Sequence, residues 1–290
     1  MVNQARLDAL DGLLWLGNGT HAARLTSLSQ PTISRGAHQA ADHFQLGLRK
    51  IRGEWQLQGD STALEAERQH FQQLRFNGEA GLRLEAGAIS SRCLAEPPPE
   101  PWILGRADAI NQPRSLALLR ERVIDAWICT SAQDLPWDSG EDIAQLDLFR
   151  APLRLVASRH HPLVGQPGLT PSDLSSFPSV ALASDWYPHS AAQLRSHGLW
   201  GNPQPQYHYR SHHWEGRTAD GRTLAYASPV MLARNPRLHL LDFDLDLEQV
   251  VALVVLREHI CHPRIQELQD ELERRVEVLR PSEPSALVAC

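Results

Sequence analysis

Apolar residues recur at helical spacing near the start of the chain, where Leu7, Leu10 and Leu14 share one side of a segment that stops at Gly17-Asn18-Gly19. This pattern predicts an amphipathic helix with a glycine stop. Thr20 is placed to cap a short second helix, whose Ala22, Ala23 and Leu25 include residues small enough for close helix packing, and a turn follows near Ser27-Leu28. Ser29 is the next capping residue. Pro31 fits just after it, because the amide it lacks would have no helical partner there. A third helix is expected from Ser29 to about Phe44, with Ile33, Ala37, Ala41 and Phe44 inward and Gln30, Thr32, Ser34, Arg35 and His38 largely outward. Lys50 to Leu57 then alternates about Gly53 as a β-hairpin does. Residues 62 to about 78 form a helical run with Leu64, Phe71 and Leu74 as a narrow apolar stripe among Glu and Gln.

From residue 82 the pattern changes to short apolar runs separated by helical stretches: Leu82-Arg83-Leu84, Val123 to Ile128, Leu153 to Ala157 and Val180-Ala181-Leu182. Such alternation indicates α/β architecture. Pro97-Pro98-Pro99 and Pro101 make the segment after the first of these strands short or irregular. Ile265, Leu268, Leu272 and Val276 read as a final helix stopped by Pro281, with 281–290 as a loose tail.

The chain has 290 residues, 42% of them hydrophobic and 21% charged, which fits a small domain plus a larger one that can be bilobed. No stretch approaches the roughly 18 apolar residues of a membrane span, and the N-terminus lacks the basic-then-apolar order of a signal peptide. A soluble, cytoplasmic protein with no membrane partner is expected. Cys93, Cys129, Cys261 and Cys290 are scattered without CxxC spacing, so neither a zinc ribbon nor a disulfide framework is indicated. The net charge of -6 is unfavourable for nucleic acid, but it is uneven. Residues 20–58 hold Arg24, Arg35, Arg49, Lys50 and Arg52 against Asp42 and Glu54, a local charge of +3.

Two short helices joined by a tight turn, the second with a Gln/Thr/Ser/Arg face, supply what a major-groove reader needs: donors and acceptors for base edges and a cation for phosphate. A three-helix packing unit with a polar outer face is the alternative. The string Ala22-Ala23-Arg24-Leu25-Thr26-Ser27-Leu28-Ser29-Gln30-Pro31-Thr32-Ile33-Ser34-Arg35 resembles the helix-turn-helix signature of the LysR-type transcriptional regulators. Weaker matches follow in Ile124-Asp125-Ala126-Trp127-Ile128, Ser158-Arg159-His160-His161-Pro162-Leu163 and Ala225-Tyr226-Ala227-Ser228-Pro229. The chain departs from the family at Leu48-Arg49-Lys50-Ile51-Arg52, at Gln58, and at Gly36, which costs a helix interior about 1 kcal/mol relative to alanine. It is therefore identified as a diverged member.

The resemblance implies an α/β protein with an N-terminal winged helix-turn-helix over 1–60, a linker helix pairing two protomers over 61–80, and a bilobed effector domain over 81–290. The effector domain would resemble periplasmic type 2 solute-binding proteins, with lobe one at about 81–150 and 227–280 and lobe two at about 151–226. DNA contacts fall on Ser29, Gln30, Pro31, Thr32, Ser34, Arg35 and His38, and on Arg49, Lys50 and Arg52 of the wing. Loops at the carboxyl ends of strands point to Ser90, Thr130, Ser131 and Ser184 as effector contacts. Partners would be operator DNA, a small-molecule effector and a second copy in a homodimer or homotetramer.

Rival readings give the sequence less to explain. His208, His212 and His213 with His160 and His161 could supply zinc ligands, but the aromatic surroundings Tyr207, Tyr209 and Trp214 suit a strand or loop better. No Gly-x-Ser-x-Gly elbow, phosphate loop or dinucleotide fingerprint is present, so neither an enzyme nor a cofactor is indicated. Two alternatives to an active regulator stay open: a diverged regulator that binds a ligand but no longer reads specific DNA, and a solute-binding protein.

Overall fold

Local chemistry starts and stops the first helices of the computed structural model, which describes residues 3–26, 28–51, 53–87, 91–106, 109–110, 112–136, 142–181, 183–201, 209–210, 218–279 and 288–289. Helix α1 (Gln4–Leu16) ends at Gly17, whose φ of 64° lets its N–H turn back to the Leu13 carbonyl. Helix α2 (Gly19–Thr26) is started by Asn18 rather than by Thr20, since the Asn18 side chain accepts the Thr20 amide at 2.8 Å. Helix α3 (Gln30–His43) is capped as expected by Ser29, which accepts from the Thr32 amide, and it buries Ile33, Ala37, Ala40 and Ala41. Gly36 has a packing role. A Cβ there would stand 3.1 Å from that of Ala9, so the missing side chain lets α3 cross α1 closely. Strands β1 (Gly47–Ile51) and β2 (Glu54–Gln58) pair antiparallel about Gly53, forming the wing.

The apolar stripe of helix α4 (Thr62–Phe76) is turned toward the chain's own core. Leu64, Phe71 and Leu74 pack into the winged-helix core with Leu7, Leu10 and Leu13 of the same chain. One turn on, Phe76 enters the core of the next domain. The exposed positions Thr62, Ala63, Glu65, Ala66, Gln69, His70 and Gln73 include no large apolar residue. The stripe expected to meet a second protomer is thus covered within the chain.

The larger domain continues with β3 (Leu82–Ala86), a single π-helical turn at Ser91–Ala95, β4 (Trp102–Leu104), β5 (Ala109–Ile110), α5 (Gln112–Arg120) and β6 (Ala126–Cys129). After β6 come a 3-10 turn at Ala132–Asp134, β7 (Ile143–Ser158), α6 (Pro171–Leu174), α7 (Pro188–Ser196) and β8 (Tyr209–Arg210). The chain ends with β9 (Ala225–Ala227), α8 (Pro229–Arg234), β10 (Leu238–Leu256), α9 (Pro263–Leu279) and β11 (Val288–Ala289). The main sheet has the order β11-β7-β10-β6-β3-β4, with β9 also on β7, while β5 pairs β8 separately. It is mixed, because β3 runs parallel to β4 and β6 whereas β10 runs antiparallel to β6 and β7. Among its described residues the proline-rich stretch after β3 holds that π turn and irregular chain, as its composition predicts. Val180 and Ala181 form no strand, and beside them stands one isolated bridge from Ser179 to Leu224; Leu182 lies outside the described residues. In the expected tail, Val288–Ala289 pair with β7.

Strands β7 and β10 are long enough to run through two cores. The first gathers Leu82, Leu84, Ile128, Leu148, Val251, Leu253 and Val255 against Ile265, Leu268, Leu272 and Val276 of α9. The second gathers Leu155, Leu163, Leu174, Leu194 and Tyr226 against Leu241, Leu245 and Leu247. The expected return to lobe one at residue 227 is therefore corrected. Val230 touches the first core, but the chain goes back to the second and crosses for good between Leu247 and Val251.

The other face of the lobe-one sheet is closed from two sources. Leu116, Leu118 and Leu119 of α5 cover part of it, and the winged domain contributes Ala9, Trp15 and Leu16 of α1 with Ala22 of α2 and Ile33 of α3. Buried charges bind this junction. Asp11 accepts from Arg68 Nε at 2.9 Å and from Arg83 Nη1 at 3.1 Å. Asp125, fully buried, accepts Nε and Nη2 of Arg75 at 2.8 Å each, the Arg83 amide at 2.8 Å and Gln72 Nε2 at 3.0 Å. Removing one partner from so buried a set leaves uncompensated charge. Asp125→Ala should lower unfolding stability by about 3–5 kcal/mol in a denaturant titration, whereas Gln69→Ala on the exposed face of α4 should stay within about 0.5 kcal/mol.

Candidate nucleic-acid interface and effector cleft

The outer face of α3 is built by burying its opposite side. With Ile33 and Ala37 inside, Gln30, Pro31, Thr32, Arg35 and His38 stand exposed and Ser34 is half-buried. Some of this polar surface is already engaged. Ser29 and Thr32 share a hydroxyl contact of 2.7 Å at the cap, so part of their hydrogen-bonding capacity is spent within the helix. Gln30 lies back on Gly19, where a Cβ would stand 3.1 Å from its Cγ. His38 bonds the Ser34 carbonyl through Nδ1 at 2.9 Å and sets its ring edge-on to Trp55 of the wing, with centroids 6.1 Å apart. Lys50, opposite Trp55 in the hairpin register, holds its ammonium 6.0 Å from the same indole. Arg49 is exposed as expected, and Arg52 lies outside the described residues. Trp55 was not singled out from the sequence, although an aromatic at the wing position opposite a cation is a legible signal.

The second candidate site lies where β3 and β6 end side by side, Ala86 opposite Ile128. Thr130 and Ser131 follow there, both half-buried, and the Ser131 carbonyl accepts from Gln112 Nε2 at 3.0 Å. Ser184 is on the other lobe, its hydroxyl held by Arg195 of α7, and Ser90 lies outside the described residues. Besides the short β5–β8 pairing, a side-chain contact joins the lobes through Asp134. Its carboxylate accepts both the amide and the hydroxyl of Ser190 in the first turn of α7, and Gln133 bridges the Ser190 hydroxyl at 3.3 Å and the Val250 amide at 2.9 Å. The first turn of α7 presents amides suited to an anion, and here the chain's own carboxylate takes that place. Burial raises the Asp134 carboxyl above its ordinary value, outweighing the Ser190 hydrogen bonds and the nearby His189 that favour the charged form. The sequence carried no sign of this pair, because its two members belong to different lobes.

Other candidate chemistry recedes. His161 is a buried histidine with both nitrogens engaged, Nε2 by the Arg222 carbonyl at 3.1 Å and Nδ1 by the Leu163 amide at 3.2 Å. His160 is exposed and accepts from Arg159, and His208, His212 and His213 lie outside the described residues. Among the described residues no group of three or more His, Cys, Asp or Glu is placed to hold a metal ion. The Cys129 thiol is pushed up to about 12 by burial, which keeps it protonated and unreactive. No described helix is long and apolar enough to cross a membrane.

Comparison with known proteins is consistent with this architecture. The family model of the LysR substrate binding domain matches residues 107–277, more than half of the chain. No curated protein matches it significantly. Among solved structures, ArgP from Mycobacterium tuberculosis is 17% identical with a TM-score of 0.54, the match covering 98% of this chain and all of that one. A full-length OxyR variant from Pseudomonas aeruginosa is 17% identical with a TM-score of 0.53, the match covering 94% of this chain and 98% of that one. Identities this low speak to the fold alone.

The raised Asp134 carboxyl fixes a sign for pH dependence. The fold favours its protonated form, so this contribution to stability is full below the ordinary value of 3.8 and is lost as pH rises through the raised one. Asp134→Asn keeps an acceptor for the Ser190 amide and does not ionise. Its Tm relative to wild type should rise between pH 3.5 and 7; a difference that stays flat across that range would refute the assignment.

Proposed function

This chain belongs to the LysR-type transcriptional regulators, and from that premise we propose that it binds operator DNA through α3 and the wing, under the control of a small molecule held between its two lobes. The observation that carries the proposal is the exposed Gln30, Thr32 and Arg35 on a helix whose other face is locked in a core, followed by a wing that presents Arg49 and Lys50. A helix so supported can enter the major groove without rearranging, with Arg35 as the base-reading cation and the wing cations on phosphates. His38 and Trp55 brace the wing against α3, and so fix the distance between the two sets of contacts. The protein acts in the cytoplasm as a homo-oligomer, because an inverted-repeat operator needs two recognition helices.

The effector contacts of this proposal are Thr130 and Ser131 at the end of β6, Ser184 across the cleft, and Ser90. An effector that binds one lobe arrangement better shifts the population toward it by its differential affinity. Members of the family are generally not enzymes, and no catalytic step is assigned here. A second reading, binding without sequence preference, is favoured by the engagement of Ser29, Thr32 and Gln30 in contacts within the domain.

Selection of bound sequences from a random duplex pool with the purified chain separates the two. An inverted repeat should emerge, and Arg35→Ala should weaken binding to it by about 1–3 kcal/mol while relaxing the preference at one base pair in each half-site. Lys50→Ala should leave the preference intact and reduce the slope of log affinity against log salt by about 0.9 per site. Salt-dependent binding with no enriched sequence would establish the second reading.

A further inference from the structure

Helix α1 is both the first helix of the winged domain and a cover for β3, and its last turn lies beside the strand end that borders the interlobe cleft. Arg83 and Glu85 project from the same face of β3. Arg83 holds Asp8 and Asp11 of α1, and Glu85, next to the end of the strand, accepts from the indole nitrogen of Trp15. Gly105 makes that approach possible, since a Cβ there would stand 2.7 Å from Glu85 Oε2 and 2.9 Å from Trp15 Nε1. A second line runs through α5. Gln112 holds the Ser131 carbonyl in the cleft segment. Two residues on, Arg114 bonds the Leu14 and Trp15 carbonyls of α1 and lies 3.5 Å from Glu54 of the wing. Arg106 holds the Leu16 carbonyl at 3.1 Å. The last carbonyls of α1, which no helical amide can satisfy, are thus satisfied from the sensing domain.

We infer that the state of the interlobe cleft is passed to the DNA-binding domain within one chain, through the Glu85–Trp15 bond and the Gln112–Arg114 segment of α5, with Trp15 and Arg114 as positioning residues. The inference rests on the regulator reading for its biological meaning, but the contact pathway can be tested without it. A change at the end of β3 or in Thr130–Ser131 has no solvent gap to cross before it reaches α1 and the wing. It moves the Glu85 carboxylate, which is bonded to Trp15 of α1, or the Gln112 side chain, which shares the first turn of α5 with Arg114, the residue that holds α1. Linkage makes the coupling reciprocal, so DNA itself serves as the probe while the effector is unidentified.

The experiment is amide hydrogen exchange on the full chain, with and without saturating duplex of the selected sequence. In wild type, DNA should slow exchange in the peptides that cover β3 with its following turn and β6 with Thr130–Ser131, by about threefold or more. Trp15→Phe, which keeps the ring but has no donor, should bind the duplex within about threefold of wild type and lose that response. Glu85→Leu should lose it as well, and Glu85→Gln, which keeps an acceptor, should retain it. Without DNA, Gly105→Ala should speed exchange in the last turn of α1 and in α2 while leaving β10 unchanged. The inference is overturned if saturating DNA leaves the cleft peptides of wild type unaltered, if Trp15→Phe responds as wild type does, or if Gly105→Ala leaves α1 and α2 at wild-type rates. Absence of any duplex binding by wild type would overturn the regulator reading instead, and the Gly105→Ala arm would still decide the contact pathway.

Discussion

A sheet whose two faces are both apolar must be covered on both, and in this protein the second face of the lobe-one sheet is completed by a helix from the DNA-binding domain. That constraint shapes much of the molecule. Placing α1 on β3 brings Asp8 and Asp11 against Arg83, and placing α4 beside it brings Arg68 and Arg75 against Asp11 and Asp125. None of these charges could be buried alone, because desolvation of an isolated ion costs more than any packing nearby returns. The bidentate Arg75–Asp125 pair, with Gln72 and the Arg83 amide on the remaining lone pairs, solves this by satisfying both carboxylate oxygens twice. Such a set tolerates little displacement. It binds the winged domain, α4 and lobe one into one body, with the bonds of Trp15, Arg106 and Arg114 along its cleft side.

What the sequence revealed and what it hid follow from the range of each interaction. Helix caps act within about four residues, so Gly17 and Ser29 could be read directly. The outward face of α3 was legible for the same reason, its inward residues recurring at helical period. Gly36 looked like a defect because its partner, Ala9, lies on another helix. The stripe of α4 was ambiguous in principle, since Leu64, Phe71 and Leu74 would look the same facing a second protomer or facing their own core. Arg68, Gln72 and Arg75 carry no local sign of burial, and the distant carboxylates of Asp11 and Asp125 make them interior.

The cleft shows the same division. Serines at strand ends are visible in a sequence, and Thr130 and Ser131 do stand at the end of β6, but the contact between the lobes runs from Asp134 to Ser190, which no local pattern joins. The lobe boundary was more accessible than the reading at 227 allowed. Residues 241–248 alternate apolar with polar, Leu241-Asp242-Phe243-Asp244-Leu245-Asp246-Leu247-Glu248, and 250–256 are continuously apolar. A strand covered on one face gives the first pattern and a strand covered on both gives the second, so the change of period between Leu247 and Val250 marks the crossing.

These features divide the protein mechanically. The contacts between the winged domain and lobe one are buried and charge-satisfied, whereas among the described residues the lobes are joined by the crossing strands β7 and β10, by the short β5–β8 pairing and by the Asp134–Gln133–Ser190 contact. Register shifts interrupt the β7–β10 ladder twice between Leu240 and Glu248, on the lobe-two side of the crossing, and once between Val251 and Ala252 on the lobe-one side. A ladder interrupted there bends more readily than the uninterrupted pairing of Leu253 to Leu256 with Leu146 to Ile143. All three shifts lie within the larger domain and none lies between it and the winged domain. An anionic ligand at the first turn of α7 would compete with the Asp134 carboxyl that already occupies it, while α1 stays packed on lobe one.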